Sequence, residues 1–386
     1  MKILIVSPFL PYPLDSGGKT RLYNLLKGLA AAAEIDLLVV HEDPLSEEEL
    51  ERFKKDLPSP KIFTKMIRKS SLRKVGYFLL NWLDLDGLCF LSVKRMIKRI
   101  IRKEGVETVQ FEFSQAARYL PSGLAIRNFL TIHEIRFKKL AREASLKKGI
   151  GKLKILFKFI LIQGEELSNF HKFSDLILVS QDDRAFLDAY VNVSKMHVVP
   201  NGVDTRLYHP AEEVGGPKKI YFLGWFGNDQ NKDALDFLLE DILPRSETGP
   251  GLVVIGKDLG EGARLELARR GAEYHGFIPP QETSAFLADC ALVVPLRIGG
   301  GTRLKILEAM AMGRPVLSTS IGAEGLEVEK EENILLADTA EEFAGQLDRL
   351  MKDGNLWQKL SLAGRKLVEE KYSWQKISER QLKIYQ

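Results

Sequence analysis

Residues 295–319 read PLRIGGGTRLKILEAMAMGRPVLST. An apolar run leads into Gly299, Gly300 and Gly301. A helical pattern then opens through Thr302, Arg303 and Lys305 and reaches Glu308. The N-terminus of a helix already carries positive partial charge, so cations there are unfavourable by about 0.3–1 kcal/mol. Two of them at one helix head predict an anion in front of it. Glycines let the backbone approach closely, and the free N–H groups of a first turn donate to phosphate. A second junction has the same character. In ILIVSPFLPYPLDSGGKTRLYNLL a strand ends near Ser7, a loop follows, and a helix opens on Gly17, Gly18, Lys19 and Arg21. One junction in each half of the chain points to a diphosphate or polyphosphate held in a cleft between two domains. Other phosphate motifs fit less well. GGKT contains the Gly-Lys-Thr of a Walker A loop, but the first glycine of that loop falls at Pro13. No Gly-x-Gly-x-x-Gly follows the first strand, which argues against a dinucleotide fingerprint.

These junctions need strands and helices in alternation, and the pattern supplies them. Short β-branched runs recur at 2–6, 35–40, 61–63, 108–111, 129–133, 176–180 and 197–199. A second series follows at 220–223, 252–255, 272–276, 292–295, 316–319 and 334–337. Apolar residues at helical spacing fill the gaps, as in Leu22, Leu25, Leu26 and Leu29, or Leu304, Leu307, Met310 and Ala311. Alternating strands and helices imply parallel sheets. Two series imply two doubly wound α/β domains, and the Pro- and Gly-rich stretch from Val199 to Lys219 marks the break. The last segment, SWQKISERQLKIYQ, is one more helix with Ser373 as N-cap.

Composition bounds the class. At 386 residues, with 45% apolar and 28% charged residues, the chain suits two soluble globular domains rather than one core. Cys89 and Cys290 are too few for a disulfide framework or a metal cluster; they read as small buried thiols in a reduced, cytoplasmic compartment. MKILIVSPFL stops at Pro8, short for a secretory segment, and reads as a first strand. The most apolar stretch, GYFLLNWLDLDGLCFL, contains Asp84 and Asp86 and does not read as a membrane span. The net charge of +4 is unevenly distributed. Residues 1–200 carry 33 Lys and Arg against 23 Asp and Glu; the rest carry 23 against 29. The first half is therefore the one suited to an anionic surface. In SVKRMIKRIIRKEG, Val93, Met96, Ile97, Ile100 and Ile101 share one face and six cations fill the other. KKGIGKLKILFKFILIQ (147–163) again mixes lysines with apolar residues. Each segment reads either as an amphipathic helix packed on a sheet or as a helix lying on a membrane surface. No helix-turn-helix, zinc or aromatic RNA-binding signature appears, so nucleic acid is not an expected partner.

With these residues in view, the sequence resembles the retaining glycosyltransferases of GT-B architecture, family 4. The matching stretches are SGG after the first strand, VSQDDRAFL, VVPNGVD, Gly276–Phe277, ILEAMAMGRPVLST and GAEGLE. Their style resembles bacterial polysaccharide and lipopolysaccharide sugar transferases. The resemblance implies two Rossmann-like domains, 1–203 with a returning helix 373–386, and 204–372. It implies a nucleotide-diphosphate sugar donor, UDP- or GDP-linked, bound mainly by the second domain, with no cofactor or metal required. The acceptor is then a glycan or lipid-linked molecule, with a possible inner-leaflet membrane surface as partner. By the same resemblance Glu308 accepts from the ribose hydroxyls, which suits an acceptor-only carboxylate. Gly17 and Gly18 approach the donor phosphates, and His133 lies near the donor sugar and β-phosphate, so that His133 and Gly18 are the catalytic candidates. Asn201, Lys232, Phe277, Gly299, Gly300, Gly301, Thr302, Arg303 and Lys305 complete the donor-binding set. The sequence departs from the family pattern in two respects. Trp225 and Asn231 stand where members carry a diphosphate-binding Arg and Lys, and Gly300 stands where many carry a sugar-reading Glu. Arg303 and Lys305 are placed to supply the missing positive charge. A nucleotide-sugar epimerase, a non-catalytic nucleotide- or membrane-binding homologue and, last, a P-loop NTPase are the alternative functions.

Overall fold

The structure is a computed structural model that describes all residues except 68–89, 147, 212–217 and 300–302. The apolar stretch with Asp84 and Asp86, Cys89, and the sequence-predicted positions Gly300, Gly301 and Thr302 therefore lie outside the described residues. The chain divides into two compact units. Unit 1 is Met1–Pro200 with Ile377–Gln386, and unit 2 is Asn201–Lys376.

Unit 1 runs β1 (Lys2–Ser7), α1 (Gly17–Leu29), β2 (Glu34–His41), α2 (Glu47–Asp56), β3 (Lys61–Met66), α3 (Leu91–Glu104), β4 (Thr108–Glu112), β5 (Arg127–Ile132), α4 (Arg136–Leu146), α5 (Gly149–Lys172), β6 (Asp175–Leu178), α6 (Gln181–Leu187) and β7 (Met196–Val198). Its sheet is wholly parallel, in the order β3-β2-β1-β4-β5-β6-β7. The near-continuous apolar runs of these strands follow from burial on both faces by crossover helices. Every residue of β4 is buried, and so are the last five of β1.

Unit 2 runs β8 (Lys219–Leu223), α7 (Asp229–Phe237), β9 (Gly251–Ile255), α8 (Glu261–Arg269), β10 (Glu273–His275), α9 (Pro280–Phe286), β11 (Cys290–Val294), α10 (Leu304–Ala311), β12 (Val316–Ser318), β13 (Leu335–Leu336), α11 (Ala340–Lys352) and α12 (Gly354–Leu367). Its parallel sheet has the order β10-β9-β8-β11-β12-β13. A capping box at Thr339 and Glu342 opens α11. Cys290 is buried, and burial pushes its thiol up to about 12.

All thirteen strands predicted from the sequence are present, with ends moved by at most three residues. The last helix, α13 (Trp374–Tyr385), has its first three residues in unit 2 and the rest in unit 1. There Gln381 Nε2 donates to Gln110 Oε1 at 3.0 Å, Arg127 donates to the Ile384 carbonyl, and the Tyr385 ring meets Phe129 edge-on at 5.3 Å. None of the helices searched is long and apolar enough to cross a membrane.

Candidate functional site

In both sheets the strands run parallel, so the loops beyond their carboxyl ends form the natural ligand edge. In unit 2 that edge carries most of the sequence-predicted residues.

α10 starts one residue after Arg303, which occupies the N-cap position and is buried. The guanidinium lies over Gly299. That glycine has φ +141°, and a Cβ on it would meet Arg303 Nη2 at 2.4 Å and Gln230 Oε1 at 2.7 Å. Only glycine fits there. Lys305 turns back toward β8: its ammonium donates to the Leu223 carbonyl and lies 5.5 Å from the Phe222 ring centre. Burial pulls Lys305 down to about 7, helped by the Arg303 charge and opposed by Glu308. Glu308 is one helical turn further on. Burial pushes its carboxyl up to about 7, opposed by Lys305. Nearby Tyr208 is raised by burial and by the Glu308 charge. An ammonium and a carboxylate that both change charge near neutrality thus sit at one helix head, the first suited to an anion and the second to a diol.

The loop after β8 and the first turn of α7 hold Trp225 and Asn231, the first of the two departures from the family pattern. Asn231, which opens with the first turn of α7, donates its amide to the Trp225 carbonyl at 2.8 Å and fixes the loop. Trp225 is 59% exposed. Its Nε1 donates to Asp258 Oδ2 at 2.6 Å, and its ring lies so close over Gly227 that a Cβ there would meet it at 2.4 Å. Asp258 has φ +62°, unusual for a non-glycine residue. The indole is thus held by its only donor with a face open to solvent. Phe277, after β10, is also exposed, with Lys257 Nζ 5.4 Å from its ring centre. Lys232 is paired with Asp229 at 3.2 Å on the exposed side of α7. Asn201 is half-buried at the start of unit 2.

In unit 1 the structure gathers Gly18 and His133 around a residue that the sequence reading missed. His133 follows β5, and its ring stacks on Phe113 at 3.9 Å with planes 12° apart. The Phe113 ring also crowds Gly18, where a Cβ would meet Cε1 and Cζ at 2.8 Å. Phe113 holds φ +70°. His133 Nε2 lies 2.8 Å from Glu112 Oε2 at the end of β4. Glu112 is fully buried and also accepts from Thr131 Oγ1 and Gln110 Nε2. Burial pushes its carboxyl up, but the hydrogen bond and charge of His133, the Arg21 charge and Gln110 together bring it below the usual range. Burial in turn lowers His133, more than Glu112 raises it. An ionised carboxylate only accepts, so a neutral His133 donates through Nε2 and keeps Nδ1 as an acceptor. The signal for Glu112 was present in TVQFEF: a carboxylate inside a run that must be buried on both faces.

The cations of α1 find partners inside the fold. Lys19 pairs with Asp15 at 3.0 Å. Arg21 is fully buried and donates to the carbonyls of Pro200 and Val199 at 2.6 and 2.8 Å, closing α1 onto the chain beyond β7. Gly17 is the first residue of α1.

Comparisons with known proteins agree with this architecture. Residues 217–353 match the family model described as glycosyl transferases group 1, and residues 16–207 match glycosyltransferase family 4. Over 97% of both chains, the sequence is 23% identical to an uncharacterized 44.6 kDa protein in the cps region of Klebsiella pneumoniae. Over 52% of this chain and 50% of the other, it is 26% identical to the MMP α-(1→4)-mannosyltransferase of Mycolicibacterium hassiacum. Among solved structures, sucrose-phosphate synthase from Thermosynechococcus elongatus superposes with TM-score 0.73 at 17% identity, covering 100% of this chain and 98% of the other. Anabaena Alr3699/HepE in complex with UDP-glucose superposes with TM-score 0.67 at 16% identity, covering 100% and 99%. The fold and the two family models define the class: the chain is a glycosyltransferase of GT-B architecture.

Proposed function

We propose that this chain transfers a sugar from a nucleotide-diphosphate sugar, with retention at the anomeric carbon, to a glycan or lipid-linked acceptor in surface-polysaccharide biosynthesis. The observation that carries this reading is Lys305 and Glu308 together at the head of α10, both half-buried, where desolvation brings the ammonium down and the carboxyl up to about 7. A diphosphate beside Lys305 restores its charge, and a ribose diol gives Glu308 the donors it lacks. The UDP-glucose complex of a GT-B relative and a relative in a cps region support the donor class and the setting. In this reading residues 204–372 hold the donor, with Arg303, Lys305, the glycines at 299–301, Thr302 and Glu308 at its centre and Asn201, Lys232 and Phe277 around it. Residues 1–203, with the helix 373–386, serve the acceptor, and Gly17, Gly18 and His133 approach the donor phosphates and sugar.

In the reaction, the bond from the anomeric carbon to the diphosphate breaks while a bond to the acceptor oxygen forms on the same face. The acceptor proton passes to the departing diphosphate oxygen. The main contribution of the protein is then electrostatic stabilisation of that leaving group, through Lys305, Arg303 and first-turn amides. The enzyme works at the cytoplasmic face of the plasma membrane. A thermal-shift panel of UDP, GDP, ADP and CDP on wild type and Glu308→Ala tests the reading, since a ligand that binds only the folded state stabilises it. One diphosphate should raise Tm in the wild type and do so much less in the variant; no shift with any of the four overturns the donor assignment. Product analysis separates transfer, which yields a glycoside with the α or β configuration of the donor, from epimerisation, which yields an isomeric nucleotide sugar.

A further inference from the structure

α5 is apolar on two faces. One face is the expected one: Phe159, Ile162 and Leu167 pack against the unit 1 core, Glu166 and Phe170 are buried, and Phe159 meets Phe137 ring to ring at 6.2 Å. Among the described residues, the other face has no such neighbours. Ile150, Leu153, Phe157 and Ile160 are 73, 66, 66 and 63% exposed, and Leu156 is exposed beside them. At 100° per residue these five occupy one arc of about 120°, centred about 120° round the helix from the core-facing residues. Lys154 and Lys158 border that arc on one side and Lys152 on the other, all exposed. From residue 144 to residue 164 the sequence contains five lysines and no acidic residue.

A core does not require an apolar outer face, and soluble proteins seldom leave one contiguous. The occupant follows from the charge. A second copy of the same face would set lysine rims against each other in a two-fold contact. The apolar area, on the order of several hundred Å², also falls short of the roughly 800 Å² per partner of a stable interface. An anionic lipid surface satisfies both parts, with side chains among the upper acyl chains and ammonium groups at the phosphates. α3 adds to the field: Val93, Ile97 and Ile100 enter the same apolar cluster as Phe159 and Ile162, so both helices belong to one layer over the sheet. The outer side of α3 presents Arg95, Lys98, Arg99, Arg102 and Lys103 along a shallow groove.

We propose that the outer face of α5 is a membrane-docking surface, inserting Ile150, Leu153, Phe157 and Ile160 into the interface of an anionic bilayer. This names the surface behind the membrane-facing part of the functional reading and rests on it. The test is flotation of the full chain with vesicles of phosphatidylcholine alone or with about 30% phosphatidylglycerol. The wild type should float with the anionic vesicles only. The double variant Leu153→Glu/Phe157→Glu should lose at least tenfold in partitioning. Lys152→Gln/Lys154→Gln/Lys158→Gln should weaken it by about fivefold per lysine at low salt. Each variant is also scored for Tm and for nucleotide binding. Wild-type recovery with the soluble fraction on anionic vesicles, or equal flotation of the double variant, overturns the proposal. So does a concentration-dependent dimer that the double variant abolishes. Vesicle binding without nucleotide binding would instead sink the transferase reading and leave the surface standing.

Discussion

The junctions at α1 and α10 share glycines followed by cations, yet the two units use those cations differently. At α1, Lys19 pairs with Asp15 and Arg21 is enclosed between two carbonyl groups. At α10, Arg303 lies over Gly299 and Lys305 holds a single carbonyl at the end of β8. A guanidinium keeps its proton under almost all conditions, so a buried one must find its acceptors inside the fold. Arg21 does so, and although burial lowers it, its pKa stays near 10. An ammonium can release its proton when buried. Lys305, at about 7, is therefore a charge that an arriving phosphate restores. The comparison teaches that a cation in a first helical turn indicates a ligand only when the fold leaves it poorly supplied with acceptors.

The expected effects that would break or sharpen this contrast run from large to small. Glu308→Gln keeps the volume but removes the acceptor-only group; turnover of the donor should fall on the order of 10³-fold, as for loss of a key polar contact in a buried site. Unchanged turnover would remove unit 2 from the chemistry. In unit 1, Glu112→Gln should lower kcat by about 10²-fold with KM nearly constant, because His133 loses the acceptor that sets its tautomer. The pH–rate profile should move with it, which a merely structural role would not cause. Lys305→Met should weaken nucleoside diphosphate binding by about 10- to 100-fold while leaving the parent nucleoside nearly unaffected; titration calorimetry with both ligands measures the split.

The sign of the pH dependence follows from the lowered pKa of Lys305. The free protein holds that amine charged below about 7 and neutral above it. Diphosphate affinity relative to nucleoside affinity should therefore fall as pH rises through 7, with proton uptake on binding, and Lys305→Met should flatten the trend. A ratio independent of pH in the wild type would contradict the switchable charge. Arg21→Met should act on the fold instead: two carbonyls lose their donor, and denaturant unfolding should show a loss of about 2 kcal/mol. Smallest of all, Lys19→Ala removes an exposed pair and should change stability by less than about 1 kcal/mol without altering nucleotide binding.

Much of the fold was legible because both sheets are parallel and buried. Runs such as KILIV at residues 2–6 and the Leu22, Leu25, Leu26, Leu29 stripe report their own period, and every predicted strand is present. The site was legible in part. Gly299, Arg303, Lys305 and Glu308 announce themselves through types that conflict with their position: glycine in a helix approach, cations in a first turn, and a carboxylate among Leu307, Ala309 and Met310. Trp225 was visible only as a departure. Its tie to Asp258 spans 33 residues and two loops, and no local pattern encodes it. Phe113 was missed for the same reason, since its place between Gly18 and His133 joins three segments.

The sequence by itself determined the two α/β series, their parallel strands, the two junctions of glycines and cations, and the excess of positive charge in the first half. These depend on period, side-chain type and short-range sterics, all of which are local. The tertiary structure alone decided which cations find acceptors inside the protein, which carboxylate meets His133, and which apolar face of α5 stays outside. Those outcomes depend on the surroundings that distant segments create. Burial and charge at a point in space move a pKa or leave a side chain exposed, and the order of residues along the chain does not specify that point.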